Sequence, residues 1–142
     1  MKKKILVADD DFSFRSLLAE VLGDEGYNVS IAEDGIAALK ILQGEEFDIL
    51  ITDIGMPKMN GIELFNNVKE LYPQMPIIFI TGYSFTNAAT QGLREDHFYY
   101  FEKPVDLNFL QCTIKHILKI KEFETKINSV QRWLKKNIHN MS

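Results

Sequence analysis

The sequence predicts an α/β protein built on a doubly wound, five-stranded parallel sheet. Two observations carry that expectation. Short apolar runs rich in β-branched and aromatic residues recur at Ile5–Ala8, Val29–Ala32, Ile49–Thr52, Ile77–Thr81 and Phe98–Phe101, each closed by a polar or Gly/Pro break. Helical patterns separate them. Strands apolar at nearly every position are buried on both faces, which is how parallel strands lie between two helix layers. Right-handed crossovers then wind the sheet doubly. This pattern leaves the order of the strands open.

Taken in order, the first strand leads into a helix whose face is Phe14, Leu17, Leu18, Val21 and Leu22, with Asp11 standing where its N-cap belongs. The second connection is weaker, with Ala37, Ala38, Ile41 and Leu42. The third is clear: Ile62, Phe65, Val68 and Leu71. Phe85–Arg94 is weaker still. After Pro104 a helical stretch runs from about Asp106 to about Ile138 with no Gly or Pro to stop it. Leu107, Leu110, Ile114 and Ile117 give one stripe. Ile120, Phe123, Ile127, Val130 and Leu134 give a second, offset from the first, at alternating steps of three and four. The expected organisation is a globular domain over residues 1–120 and a C-terminal helical extension over 121–142, serving as linker or dimer seam.

A chain of 142 residues, 46% hydrophobic and 25% charged, is enough for one ordinary core. Its net charge of −4 offers no overall footprint for nucleic acid or acidic lipid. The charge is uneven: from Lys119 onward six Lys/Arg face two Glu, a formal +4, which leaves −8 before it. Cys112 is the single cysteine, so neither an intrachain disulfide nor a cysteine metal site can form. Lys2-Lys3-Lys4 precedes an apolar run far too short for a signal peptide, and no run reaches the roughly 18 residues of a membrane span. A cytoplasmic protein is expected, without direct nucleic-acid binding, because a DNA-binding output domain needs more than the roughly 20 residues after the first domain.

In doubly wound sheets the site lies outside the carboxyl ends of the strands. The first run ends in Asp9-Asp10-Asp11, the third in Asp53 and the fourth in Thr81-Gly82, while Lys103-Pro104 follows the fifth. Adjacent carboxylates repel and must be neutralised by a proton, a cation or a lysine. Mg²⁺ suits them, since it takes oxygen ligands, keeps waters and accepts phosphate oxygens. With a hydroxyl from Thr81 and an ammonium from Lys103 the pocket can stabilise a transferring phosphoryl group, and an Asp among them can be the nucleophile.

The stretches ILVADDD, DILITDIGMPKMNG, PIIFITG and YYFEKPV, in this order, resemble the four signatures of response-regulator receiver domains over residues 3 to about 120. The resemblance implies a flavodoxin-like strand order, 2-1-3-4-5. It implies Asp53 as phosphoacceptor, Asp9 and Asp10 as the acidic pair, Thr81 as switch hydroxyl and Lys103 as partner of the phosphoryl group. Mg²⁺ would be held by Asp10, Asp53 and the backbone carbonyl of Gly55, with Asp9 acting through a water. Tyr100 takes the aromatic switch position, and the bond before Pro104 would be cis. A sensor histidine kinase or phosphotransfer protein would be the donor, and the chain would catalyse only its own phosphorylation and dephosphorylation. Asp96 and His97 depart from the family's usual glycine and alanine. Tyr83, two residues after Thr81, is expected to screen the pocket mouth. A flavodoxin proper would not place three aspartates beside a flavin phosphate. A phosphatase of the haloacid dehalogenase type would carry an Asp where this chain has Gly55.

Overall fold

A computed structural model describes residues 2–82 and 98–138 of the chain. The elements are β1 (Lys4–Ala8), α1 (Phe12–Asp24), β2 (Asn28–Ala32), α2 (Gly35–Gly44), β3 (Ile49–Thr52), α3 (Gly61–Leu71), β4 (Ile77–Thr81), β5 (Tyr99–Glu102) and α4 (Leu107–Asn137). Every strand pair is parallel, and the order is β2-β1-β3-β4-β5. This is the flavodoxin-like order that the family resemblance implies. The helix expected over Phe85–Arg94, together with Tyr83, Asp96 and His97, lies outside the described residues.

Central β3 and β4 are buried at every position, as continuous apolar runs require, whereas the edge strands β2 and β5 are partly exposed. The fifth strand starts one residue later than the apolar run suggests, because its first register partner is Tyr99, opposite Ile78. Phe98 packs instead edge-on against Phe65 and Phe79, with centroids 5.8 and 5.4 Å away. Around this aromatic group the core gathers Leu6, Leu42, Leu50, Leu64 and Val68.

The helices cover the sheet with narrower faces than their apolar stripes suggest. Leu17 and Leu71 remain exposed. In α1 the buried line is Arg15, Leu18 and Leu22, an i, i+3, i+7 series that admits an arginine because its Nη1 donates to the Asp9 carbonyl at 2.7 Å. Asp11 is the N-cap, as expected: its carboxylate accepts from the amides of Ser13 at 3.0 Å and Phe14 at 3.4 Å. A Schellman ending closes α1, with Gly26 at φ +98° and bonds from Gly26 N to Gly23 O and from Tyr27 N to Leu22 O. Asn60 and Glu63 form a reciprocal capping box that starts α3 just below the third strand's end.

The chain divides into two compact units between Val105 and Asp106. The first holds the sheet and α1 to α3. The second is α4, capped by the Asp106 carboxylate, which accepts from Phe109 N at 3.1 Å. Leu110, Ile114, Ile117 and Leu118 are buried, while Ile120, Phe123, Ile127, Val130 and Leu134 are all exposed. The helix passes residue 120 without a break, so the offset between the two stripes appears as a change in exposure. Among the described residues no helix is long and apolar enough to cross a membrane.

Candidate functional site

Register decides which side chains meet. Ala8 lies opposite both Ala32 and Thr52, and Thr81 lies opposite Glu102. The sheet bonding then continues one residue further: Asp9 N donates to Ala32 O, Asp53 N to Ala8 O and Lys103 N to Thr81 O, at 3.1, 3.0 and 2.9 Å. Residues that follow separate strands are thereby fixed along one edge as firmly as strand residues. The Lys103–Pro104 peptide bond is cis, as the resemblance implies.

Lys103 Nζ lies 2.9 Å from Asp9 Oδ2 and 3.4 Å from Asp53 Oδ2. The second oxygen of each carboxylate is held by a backbone amide, Asp9 Oδ1 by Asp11 at 2.8 Å and Asp53 Oδ1 by Ile54 at 2.7 Å. Asp9 and Asp53 are buried and Asp10 is exposed, yet one oxygen of each lies within 4.8 Å of the other two. Gly55 is half-buried in the loop that follows Asp53. The sequence-predicted acidic group and lysine therefore form one constellation. Thr81 is fully buried at the end of β4. Tyr100 is half-buried on β5, opposite Phe79, and its hydroxyl donates to Glu102 Oε1 at 2.9 Å.

Burial holds the Asp9 carboxyl above its ordinary 3.8, and the Asp53 charge pushes the same way, against the Asp11 amide and the Lys103 bond. For Lys103 burial works to lower the pKa, but the bonds and charges of Asp9 and Asp53 outweigh it and the net direction is up. The ammonium contributes stability below its unfolded value of 10.5, lost only as pH rises past the raised folded value, so it is charged throughout the neutral range. Asp9 has the opposite consequence. A raised acid binds more protons in the folded state between 3.8 and its folded pKa, so stability falls as pH rises through that window. Asp9→Asn should therefore melt higher than wild type at pH 7 without divalent cation, with the gain shrinking below pH 4; thermal melts at both pH values check this.

The sequence does not mark several residues as belonging near the site. Arg15 ties the turn after β1 through the Asp9 carbonyl, and its position on the apolar line of α1 was the available signal. Phe14 lies with its ring centroid 4.3 Å from Lys103 Nζ. The loop after β3 is pinned at both ends: Thr52 Oγ1 donates to Asp53 O at 2.9 Å and Gly61 N to Ile54 O at 2.8 Å. Lys58 takes a positive φ of 68° there, with Nζ 3.6 Å from Asp34 Oδ2.

A five-stranded parallel sheet in this order, with three carboxylates and a lysine at its carboxyl edge, defines a phosphoacceptor signalling module. Residues 5–115 match the family described as response regulator receiver domain, and the chain belongs to that family. The transcriptional regulatory protein ZraR of Klebsiella oxytoca is 36% identical over 114 residues, 80% of this chain and 26% of that protein. The DNA-binding transcriptional regulator NtrC of Proteus hauseri is 33% identical over 134 residues, 92% of this chain and 28% of that protein. The chain thus spans about a quarter of the length of these curated relatives. Among solved structures, a CheY-like receiver domain protein from Methanospirillum hungatei is 32% identical with a TM-score of 0.80, covering 87% of this chain and 99% of that one. The response regulator TrrA from Thermotoga maritima, solved in complex with Mg²⁺–BeF, is also 32% identical, with a TM-score of 0.71 and 81% and 98% covered.

Proposed function

We propose that the chain accepts a phosphoryl group on Asp53 from a sensor histidine kinase or phosphotransfer protein, in a Mg²⁺-dependent reaction, and switches conformation to control a partner or an output domain. The observation that carries this reading is the position of Lys103 Nζ beside both Asp9 and Asp53, with an Asp10 oxygen within 4.8 Å of one on each. The donor set fits a hard divalent cation: three carboxylate oxygens in reach of one another, one of them on an exposed residue where bound water can remain. Asp10, Asp53 and the Gly55 carbonyl would hold the ion and Asp9 would act through a water. When bound, the ion neutralises the carboxylates and accepts phosphoryl oxygens.

The chain's own groups carry the steps. An Asp53 carboxylate oxygen attacks phosphorus, the bond from phosphorus to the donor imidazole breaks, and the imidazole leaves with that electron pair. Lys103, already beside Asp53 Oδ2, meets the charge on the transferred group. The product carries about two negative charges and strong acceptor oxygens. The Thr81 hydroxyl turns to bond them, and Tyr100 gives up its bond to Glu102 and turns inward, biasing two pre-existing conformations. Incubation with Mg²⁺ and a phosphohistidine donor should add one phosphoryl group by intact mass. A chain that takes up none from any histidine kinase or small phosphodonor would end this reading.

The exposed stripe of α4 serves as a homodimer seam, continuing into signal output. Ile120, Phe123, Ile127, Val130 and Leu134 keep the alternating three- and four-residue spacing of a two-stranded coil, and none of them is buried. Lys119 and Glu124 flank the seam five residues apart, the offset at which opposite charges meet across parallel chains. An exposed amphipathic helix of this kind gains its stability by burying the apolar face. Light scattering should show a dimer for residues 1–142 and a monomer for a version ending at Lys119. Equal monomer masses at high micromolar concentration, with and without phosphoryl mimic, exclude the seam.

A further inference from the structure

We infer that Phe14 is a positioning residue for Lys103, its ring closing one side of the ammonium so that the lysine meets an incoming phosphoryl group with water already excluded from that side. The inference rests on the assignment of Lys103 to the phosphoryl group. Lys103 Nζ has the carboxylates of Asp9 and Asp53 at 2.9 and 3.4 Å, and the Phe14 centroid at 4.3 Å. That is within the range where the negative face of a ring attracts a cation. The backbone that carries the ring is held in place. Phe14 is in the first turn of α1, where its amide donates to the Asp11 cap at 3.4 Å. The Asp11 amide binds Asp9 Oδ1 at 2.8 Å and Arg15 Nη1 binds Asp9 O at 2.7 Å, so the turn that carries the ring also carries the carboxylate that pairs with the lysine.

The consequence is energetic. A ring face attracts the ammonium but competes for it less strongly than water or an anionic oxygen does. An ammonium packed on a ring therefore loses little when it meets the phosphoryl oxygens, whereas a hydrated one must first shed water. Such preorganisation favours the phosphoryl-bound state specifically, beyond any contribution to the fold.

The test uses the full chain with Mg²⁺ and beryllofluoride as the phosphoryl mimic. Phe14→Tyr should bind the mimic within about twofold of wild type, and Phe14→Leu about three- to tenfold more weakly, the scale of one partly desolvated cation–ring contact. In a Lys103→Ala background Phe14→Leu should cost nothing further. An equal loss in both backgrounds, or no loss at all, overturns the inference. Without the mimic, the ε-methylene protons of Lys103 should be shifted upfield in NMR spectra by the ring current and return to ordinary values in Phe14→Leu. Ordinary shifts in wild type would remove the contact itself. Should Lys103→Ala alone leave mimic affinity unchanged, the phosphoryl role of the lysine fails instead, and the NMR result then stands apart from it.

Discussion

Asp53→Asn should lower the rate of phosphoryl uptake by on the order of 10³-fold or more, the scale expected when a nucleophile is removed from an otherwise intact site. The amide keeps the shape of the carboxylate and can still accept from Ile54 N, which donates to Asp53 Oδ1 at 2.7 Å. What it loses is the anionic oxygen that faces Lys103 at 3.4 Å. Its melting temperature should hold or rise, because one of three clustered carboxylates has been neutralised and the Asp53 charge is among the influences raising the Asp9 pKa. Loss of labelling with retained stability separates a chemical role from a structural one. Chelation of divalent cations from wild type should abolish uptake similarly, and restored Mg²⁺ should return it. Labelling of Asp53→Asn at the wild-type rate would move the phosphoacceptor elsewhere.

Asp53 and its neighbours at the site are legible in the sequence for a topological reason. Asp9, Asp53 and Lys103 each follow an apolar run, and in a parallel sheet the ends of such runs share an edge whatever the strand order. Strand order itself was not legible from periodicity, since a pattern of burial does not say which strand is whose neighbour. The four motif stretches supplied it through family resemblance. The place of Phe14 and Arg15 at the site is not legible for a different reason. Both sit on the helix that leaves the site, one half-buried and one buried, and helical spacing counts Phe14 with the core while Arg15 breaks the apolar stripe. Their partners, Lys103 and the Asp9 carbonyl, become visible only when strands distant in sequence are brought together. Leu17 and Leu71 show the converse limit, because apolar spacing marks a stripe and the neighbouring elements decide how much of it is covered.

Gly61→Ala should be among the most damaging single substitutions in the chain, although Gly61 takes no part in the chemistry. A Cβ there would lie 1.9 Å from the Asp53 carbonyl oxygen, 2.8 Å from its carbonyl carbon and 2.9 Å from the Ile54 Cα. All three are backbone atoms of the segment that leaves β3, so no side-chain rotation can relieve the clash. The Gly61 amide meanwhile donates to Ile54 O at 2.8 Å, and the Asn60–Glu63 capping box fixes the start of α3 at that point. Either α3 lifts and gives up buried Leu64, Phe65 and Val68 contacts, or the Asp53–Ile54 segment moves. Both routes are costly, and a loss of roughly 3 kcal/mol is expected from overpacking of this kind. For a domain of this size that corresponds to about 10 °C in melting temperature. Because the displaced carbonyl belongs to Asp53, protein that remains folded should also bind beryllofluoride and Mg²⁺ more weakly. Gly23→Ala is the control: apart from the adjoining backbone of α1, nothing lies within 4 Å of a Cβ at that position, and alanine in a helix should raise stability by about 0.5–1 kcal/mol. A Gly61→Ala variant that melts like wild type and binds the mimic unchanged would show that α3 can retreat freely from the Asp53–Ile54 segment, contrary to the packing seen at its first turn.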